Sequence, residues 1–260
     1  MSAIATPANS IGAPASVDVR DDLSVTDTDR YVDAHPRATG YHRRVWTDLI
    51  GRAFGHRTMY LAAQRPGGIA GVLPLVFFRS RLFGTFAVSL PFVNYGGVLA
   101  DGPDVASALL DRAIEEARSA GCRHLELRHT AQVYPSLTPK RHKVAMRLRL
   151  SATPEAEWDR LDRKVRNQVR KGEKNALSVG VGGVELLDEF YQVFAHNMRD
   201  LGTPVYSRSF FREVLTALPD SSRTFIVRHE SRPVAASIVC WHGSLIEVPW
   251  ASALAGNAEM

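Results

Sequence analysis

The sequence predicts an α/β (α+β) chain of two lobes, a mixed sheet with flanking helices, the second lobe stopping before its plan is complete. Three observations carry this. A length of 260 residues suits about two domains of roughly 100 to 150 residues each. Amphipathic helical material followed by a hairpin and a further strand occurs twice along the chain. A helix and a closing strand then follow the first occurrence and not the second. Hydrophobic residues at 45% and charged residues at 23% provide for a real core in each lobe.

Residues 1–24 are rich in Ala, Ser and Pro and read as a disordered tail; they carry neither the basic start nor the continuous apolar stretch of a secretory signal. The first lobe spans 25–150. Val45, Leu49, Ile50 and Ala53 fall at helical spacing, and Gly55 supplies a stop. Thr58–Ala63 reads as a strand, Arg65-Pro66-Gly67-Gly68 as a turn, and Ile69–Phe78 as the partner strand. Thr85–Leu90 is a third strand, followed by Asn94-Tyr95-Gly96-Gly97 and a short extended piece at Val98–Ala100. A helix opens at Gly102-Pro103-Asp104, buries Val105, Leu109, Ala113, Ile114 and Ala117, and ends at Gly121. Arg123–His129 follows as a strand, so that strand, helix and strand form a crossover with the two strands parallel. Alternating apolar residues across Lys143–Leu150 predict a last strand.

The second lobe spans 151–260. Thr153-Pro154 reads as a cap and first helical residue, with Trp158, Leu161, Val165 and Val169 as one apolar stripe. Two amphipathic helices follow, one burying Leu187, Phe190, Phe194, Met198 and Leu201, the other capped by Ser207 and burying Phe211, Val214, Leu215 and Leu218. Arg223–Arg228, Val234–Trp241 and Leu245–Trp250 predict three antiparallel strands. The ten residues after Trp250 are too few for a crossover helix and a parallel strand.

No window holds the run of about 18 apolar residues that a membrane helix needs, and the chain reads as cytoplasmic. Cys122 and Cys240 sit in different lobes within or beside strand patterns, as buried thiols in a reducing compartment do. The nine histidines have no zinc-ligand spacing, and neither a Walker loop nor GxGxxG is present. A formal charge of +5 favours anionic partners, though a merely basic protein has the same balance.

Four constellations could carry chemistry. Arg163, Lys164, Arg166, Arg170 and Lys171 crowd one helix, where they form either an anion-binding surface or a solvated face balanced by Asp159, Asp162 and Glu173. Asn94, Tyr95, Gly96 and Gly97 bring a backbone close to a ligand or simply form a bulge. The loop containing Thr203 and Tyr206 holds a substrate or merely connects two helices. Glu247, mid-strand among apolar neighbours, is either an acid/base or substrate-orienting group or half of a structural salt bridge.

The run Leu161–Asn175, the segment Asn197–Phe211, Asn94-Tyr95-Gly96-Gly97 and Glu247-Val248-Pro249-Trp250-Ala251-Ser252 together resemble the FemAB-like proteins, and among them the subgroup associated with exosortase/PEP-CTERM exopolysaccharide systems. The resemblance covers about Tyr31–Ser252. It implies two lobes of the GNAT acyltransferase fold and an acyl- or aminoacyl-transferase acting on a small-molecule or envelope-precursor substrate. Acyl-CoA or aminoacyl-tRNA would be the donor, with no tightly bound cofactor and with tRNA as a partner. It adds Asn167 to the basic surface and Trp250 to the site, and tips the basic helix towards anion binding. Members of the family continue past the Glu247–Ser252 motif with a helix and strand that complete the donor site of the second lobe, where this sequence has a short Ala-rich tail. Two other readings stand beside the transferase: a non-catalytic tRNA- or anion-binding module, and an inactive truncated transferase with exposed apolar sheet surface.

Overall fold

The computed structural model describes residues 16–140, 144–175 and 177–254. Two sheets are present. The first has the order β1-β2-β3-β4-β6, made of Asp18–Arg20, Arg57–Arg65, Gly68–Ser80, Gly84–Val88 and Leu125–Glu126, with β5 (Leu99–Ala100) also paired to β3. The second has the order β10-β9-β8-β7, made of Leu245–Ala253, Arg232–His242, Ser222–His229 and Leu177–Gly182, antiparallel throughout. Seven α-helices accompany them: α1 (Val25–Ala34), α2 (Arg44–Phe54), α3 (Pro103–Ser119), α4 (Pro154–Arg160), α5 (Arg163–Lys174), α6 (Leu187–Asp200) and α7 (Arg208–Ala217). This is the mixed α/β architecture with flanking helices that the sequence predicts. None of these helices is long and apolar enough to cross a membrane.

The long hairpin β2–β3 is the spine of the first sheet, because its continuous apolar residues have partners on both faces. Leu61, Ala63, Leu73, Leu75 and Phe77 pack with Val105, Leu109 and Ala113 of α3. Tyr60, Ala62 and Val72 pack with Val32 of α1 on the other side. Gly71 is needed here, since a Cβ would lie 2.8 Å from Val105 and 2.9 Å from Leu109.

The crossover is present in a modified form. β6 is parallel to β4, through Ala87↔Leu125 and Val88↔Glu126, while β5 pairs antiparallel with β3 at Gly71 and Val72. The strands before and after α3 thus run parallel without being neighbours. β4 and β5 lie along the same edge of β3, interrupted by the excursion 89–98, and residues 73–75 of β3 lie opposite the interruption. Pro74, which has no N–H, falls in that stretch. Beyond the two paired residues β4 and β6 are linked by side chains: the Arg128 N–H donates to Ser89 Oγ at 3.0 Å, and its guanidinium donates to the Val93 carbonyl at 3.1 Å.

Other expectations need correcting. Part of the segment read as a tail is a strand: Asp18–Arg20 adds to β2, because Val17 and Val19 find the core under α3. Residues 1–15 and 255–260, and Lys143, lie outside the described residues. The strand expected to end at Leu150 does not form over 144–150; Val144 is 84% and Met146 88% exposed. Alternation makes a strand only where a neighbouring strand takes up its hydrogen bonds, and here none does. The single stripe from Trp158 to Val169 is broken at Leu161, whose backbone is extended (φ −66°, ψ 140°), into α4 and α5. Leu201, expected inside, lies past the end of α6 and is exposed. β7 carries no sequence signal beyond its alternation of Val with Gly.

Thr153 and Ser207 cap their helices as expected, with the Ala156 N–H donating to Thr153 Oγ at 3.2 Å and the Phe210 N–H to Ser207 Oγ at 3.3 Å. The α6 and α7 face of the second sheet is packed. On the other face Val179, Val181, Ile246 and Val248 are exposed, and no described helix covers them.

The two lobes share one core. Tyr41, Trp46, Leu49 and Ile50 of the first lobe pack in a single cluster with Phe190, Phe210, Phe211, Ile238 and Trp250 of the second. Trp250 stands edge-on to Phe210 and Phe211, with ring centroids 5.4 and 5.3 Å away, and 6.5 Å from Trp46. Truncating Trp250 to Ala therefore removes contacts on both sides at once. The Trp250→Ala protein is expected to lose about 3–5 kcal/mol, with tertiary signals of both lobes lost in one shared denaturant transition; separate transitions for the two lobes would contradict the shared core.

Candidate functional site

Glu247 lies on β10, opposite Cys240 of β9. Two residues further the register shifts, so that Trp250 is opposite Ile238. The bulge at Val248-Pro249 decides the geometry. In a regular strand residues 247 and 250 point to opposite faces, and the one extra residue turns both inward. Trp250 and Ser252 are buried and Glu247 half-buried, while Val248 and Ala251 are exposed.

Facing Glu247 is the first lobe. Tyr41, in a single 3-10 turn at Gly40–His42 ahead of α2, is only 1% exposed. A cavity of about 20 Å³ is lined by Tyr41, Arg43, Trp46, Cys240, His242 and Glu247. That volume suits a single water molecule. The Tyr41 hydroxyl and Arg43 Nε are both buried and have no hydrogen-bond partner of ordinary geometry among the described residues. Tyr95 from the 89–98 excursion reaches the same cluster, close enough to raise the Tyr41 hydroxyl further above its usual range, although burial is the larger cause and Glu247 the second. Burial pushes the Glu247 carboxyl up to about 7, against the opposing pulls of the nearby Arg147 guanidinium and Tyr41 hydroxyl. The Cys240 thiol rises to about 12 by burial and by the same carboxylate. His42 is held neutral by burial, at about 4, with Nδ1 accepting the Thr39 N–H at 3.0 Å.

The loop residues converge nearby. Asn197 Nδ2 donates to Ser252 Oγ at 3.0 Å, tying the end of α6 to β10. Tyr206 stands edge-on to Phe92 with centroids 5.4 Å apart, which brings the 201–207 loop against the 89–98 excursion. Thr203 is exposed on that loop, its N–H donating to the Met198 carbonyl. Gly96 and Gly97 have packing roles: a Cβ at Gly97 would lie 2.4 Å from the His129 ring, and one at Gly96 (φ +139°) 2.7 Å from Leu90. His129 is half-buried, which lowers its imidazole to about 4, and it accepts the Val98 N–H at 2.9 Å. Asn94 is exposed beside them.

The basic helix is elsewhere. α5 packs beside β7, at the edge of the second sheet opposite β10. None of its side chains is fully buried, and Arg163, Lys164, Asn167, Gln168 and Lys171 share one open face of the helix. Arg166 is half-buried, and Arg170 lies over the Trp158 ring at 5.6 Å. Glu247, Tyr95, Trp250 and Tyr206 thus meet at the lobe seam, and the cations gather separately. Tyr41, Arg43 and His242 were not indicated by the sequence, since nothing in their spacing connects residues about 200 positions apart. Among the described residues no three His, Cys, Asp or Glu side chains converge as metal ligands do.

Residues 163–255 match the acetyltransferase (GNAT) domain family. The whole chain is similar in fold to the crystal structure of FemX, at 14% identity and a TM-score of 0.65, covering 93% of this chain and 82% of that one. A conserved protein of unknown function from Bacteroides thetaiotaomicron is also similar, at 12% identity and a TM-score of 0.51, covering 92% of this chain and 80% of the other. No curated protein matches the sequence. The chain is therefore of GNAT-like fold.

A carboxyl raised on folding binds its proton more tightly in the folded than in the unfolded chain. The stability it confers is present below the unfolded value near 4.5 and is lost as pH rises through about 7. Glu247→Gln removes that loss. Relative to the parent, the variant is expected to gain on the order of 1–2 kcal/mol between pH 5 and pH 8, a figure discounted for the solvent that reaches the carboxylate. Chemical denaturation at the two pH values measures this, and a pH-independent difference would show that Glu247 titrates normally.

Proposed function

We propose that the chain is an acyl- or aminoacyl-transferase whose reaction centre is the lobe seam, with Glu247 as the base. The fold likeness to FemX over 93% of the chain is the observation that carries this reading, and the GNAT match over 163–255 supports it. An acceptor amine or hydroxyl attacks the carbonyl carbon of a thioester or ester donor, an acyl-CoA or an aminoacyl-tRNA. The new C–N or C–O bond forms as the acceptor proton passes to the Glu247 carboxylate. The C–S or C–O bond to the donor then breaks, and the proton returns to the departing thiolate or ribose oxygen. A base near 7, as burial makes Glu247, is half ionised at neutral pH and suits both transfers.

The α5 face of Arg163, Lys164, Asn167 and Lys171 has the charge to hold the phosphates of a donor or of an envelope-precursor acceptor. Tyr206 packs against the seam, and it, with Thr203 and Asn94, would orient the acceptor. The envelope or exopolysaccharide setting rests on the sequence resemblance. A second reading, a tRNA-binding module without catalysis, is favoured by one observation: α5 presents a cationic surface at the sheet edge away from Glu247.

Hydroxamate formation from acetyl-CoA or alanyl-tRNA with hydroxylamine as acceptor separates the two. Transfer above background is expected from one donor, with a rate rising through pH 7. It should fall by about a hundredfold or more in Glu247→Gln. Salt-dependent tRNA binding without transfer, lost in Arg163→Ala/Lys164→Ala/Arg166→Ala, would favour the binding module instead.

A further inference from the structure

The hairpin between β3 and β4 extends beyond the rest of the first sheet. Pairing with β2 ends at Phe77, opposite Arg57, whereas pairing with β4 runs on to Ser80. At the tip Leu82 is 82% exposed and Phe83 70% exposed. The turn that presents them is built. Ser80 Oγ accepts the Leu82 N–H at 3.2 Å and the Phe83 N–H at 3.1 Å, and Gly84 closes the turn at φ +79°. Two large apolar side chains are thus held outward at the end of a paired ribbon, an arrangement with no use in the core.

The charged side chains that the hairpin and the segment beside it carry near the tip are of one sign. Arg79 and Arg81 are exposed on the hairpin, and Arg123 places its guanidinium against Gly84, about where a Cβ would make contact at 3.3 Å. From Pro66 to Ala100 there is no Asp or Glu, nor is there one from Ala117 to Leu125, the segment beside the hairpin. The Arg123 N–H donates to the Thr85 carbonyl, fixing that segment to β4.

We infer that this hairpin tip docks on an anionic lipid bilayer, with Leu82 and Phe83 entering the headgroup region and Arg79, Arg81 and Arg123 meeting lipid phosphates. An apolar tip alone gains too little area to hold a protein of this size on a membrane, and three arginines alone bind weakly at physiological salt. The two together are the paired signal that reversible peripheral binding takes. An aromatic ring at the headgroup level is favoured. On α5 the apolar residues beside the cations are smaller and less exposed, Val165 at 40% and Val169 at 42%, about half the exposure of the tip pair.

Co-sedimentation of the full chain with vesicles tests this, comparing phosphatidylcholine alone with phosphatidylcholine containing phosphatidylglycerol. The parent is expected to bind the anionic vesicles and to be released by salt. Leu82→Asp/Phe83→Asp should weaken binding at least tenfold with an unchanged circular dichroism spectrum. Arg79→Gln/Arg81→Gln should remove the preference for the anionic lipid. Lys164→Ala/Lys171→Ala should bind as the parent does. The inference falls if the parent stays in solution with both vesicles, if the tip variant binds undiminished, or if the α5 variant alone abolishes binding. Because the readout is binding, it stands or fails separately from the transferase reaction.

Discussion

The arrangement depends on one set of contacts, the aromatic packing of Trp46 with Trp250, Phe210 and Phe211 across the lobe seam. Among the described residues, every buried hydrophobic side chain of the second lobe belongs to the cluster these rings hold together. α2 packs on α7, so the helix that opens the hairpin in one lobe is the wall of the other. Large rings suit this task because each buries much area while offering a rigid face and edge to several neighbours. A polar group drawn into such a seam is desolvated by it, and this is the origin of the shifted carboxyl of Glu247.

That carboxyl reaches the seam through a local irregularity. Without the bulge at Val248-Pro249, Trp250 and Glu247 could not both face Tyr41. Trp250 anchors the strand, Ser252 ties it to Asn197, and between them the bulge turns Glu247 towards the small cavity. A structural anchor and a chemically adapted group are therefore three residues apart on one strand.

Much of the fold was legible because it rests on local signals. The turn at Arg65–Gly68, the helix opened by Pro103 and closed at Gly121, the caps Thr153 and Ser207, and the three antiparallel strands of the second lobe all follow from patterns that a short window contains. What was not legible depends on distant partners. Asp18–Arg20 becomes a strand because β2 has a free edge; residues 144–150 alternate just as well and remain unpaired. The stripe through Leu161 continued in sequence, but the backbone turns there. At the site, Glu247 stood out as a carboxylate among apolar residues. Tyr41 did not, since an aromatic at the start of a helix is ordinary until its hydroxyl is seen buried. The basic helix, the most conspicuous run in the sequence, proved to lie at the other edge of the sheet.

The divergence of β4 and β6 in the first lobe has one more implication. Two parallel strands that part after so short a contact leave main-chain donors facing a wedge, and an empty wedge of that kind would be a place for a carbonyl to lodge. Here it is occupied from within: Ser89 takes up the Arg128 amide, and the Arg128 guanidinium is engaged by the Val93 carbonyl. The first lobe has closed its own cleft with side chains of its own, in keeping with a proposed reaction centre at the seam with the second lobe.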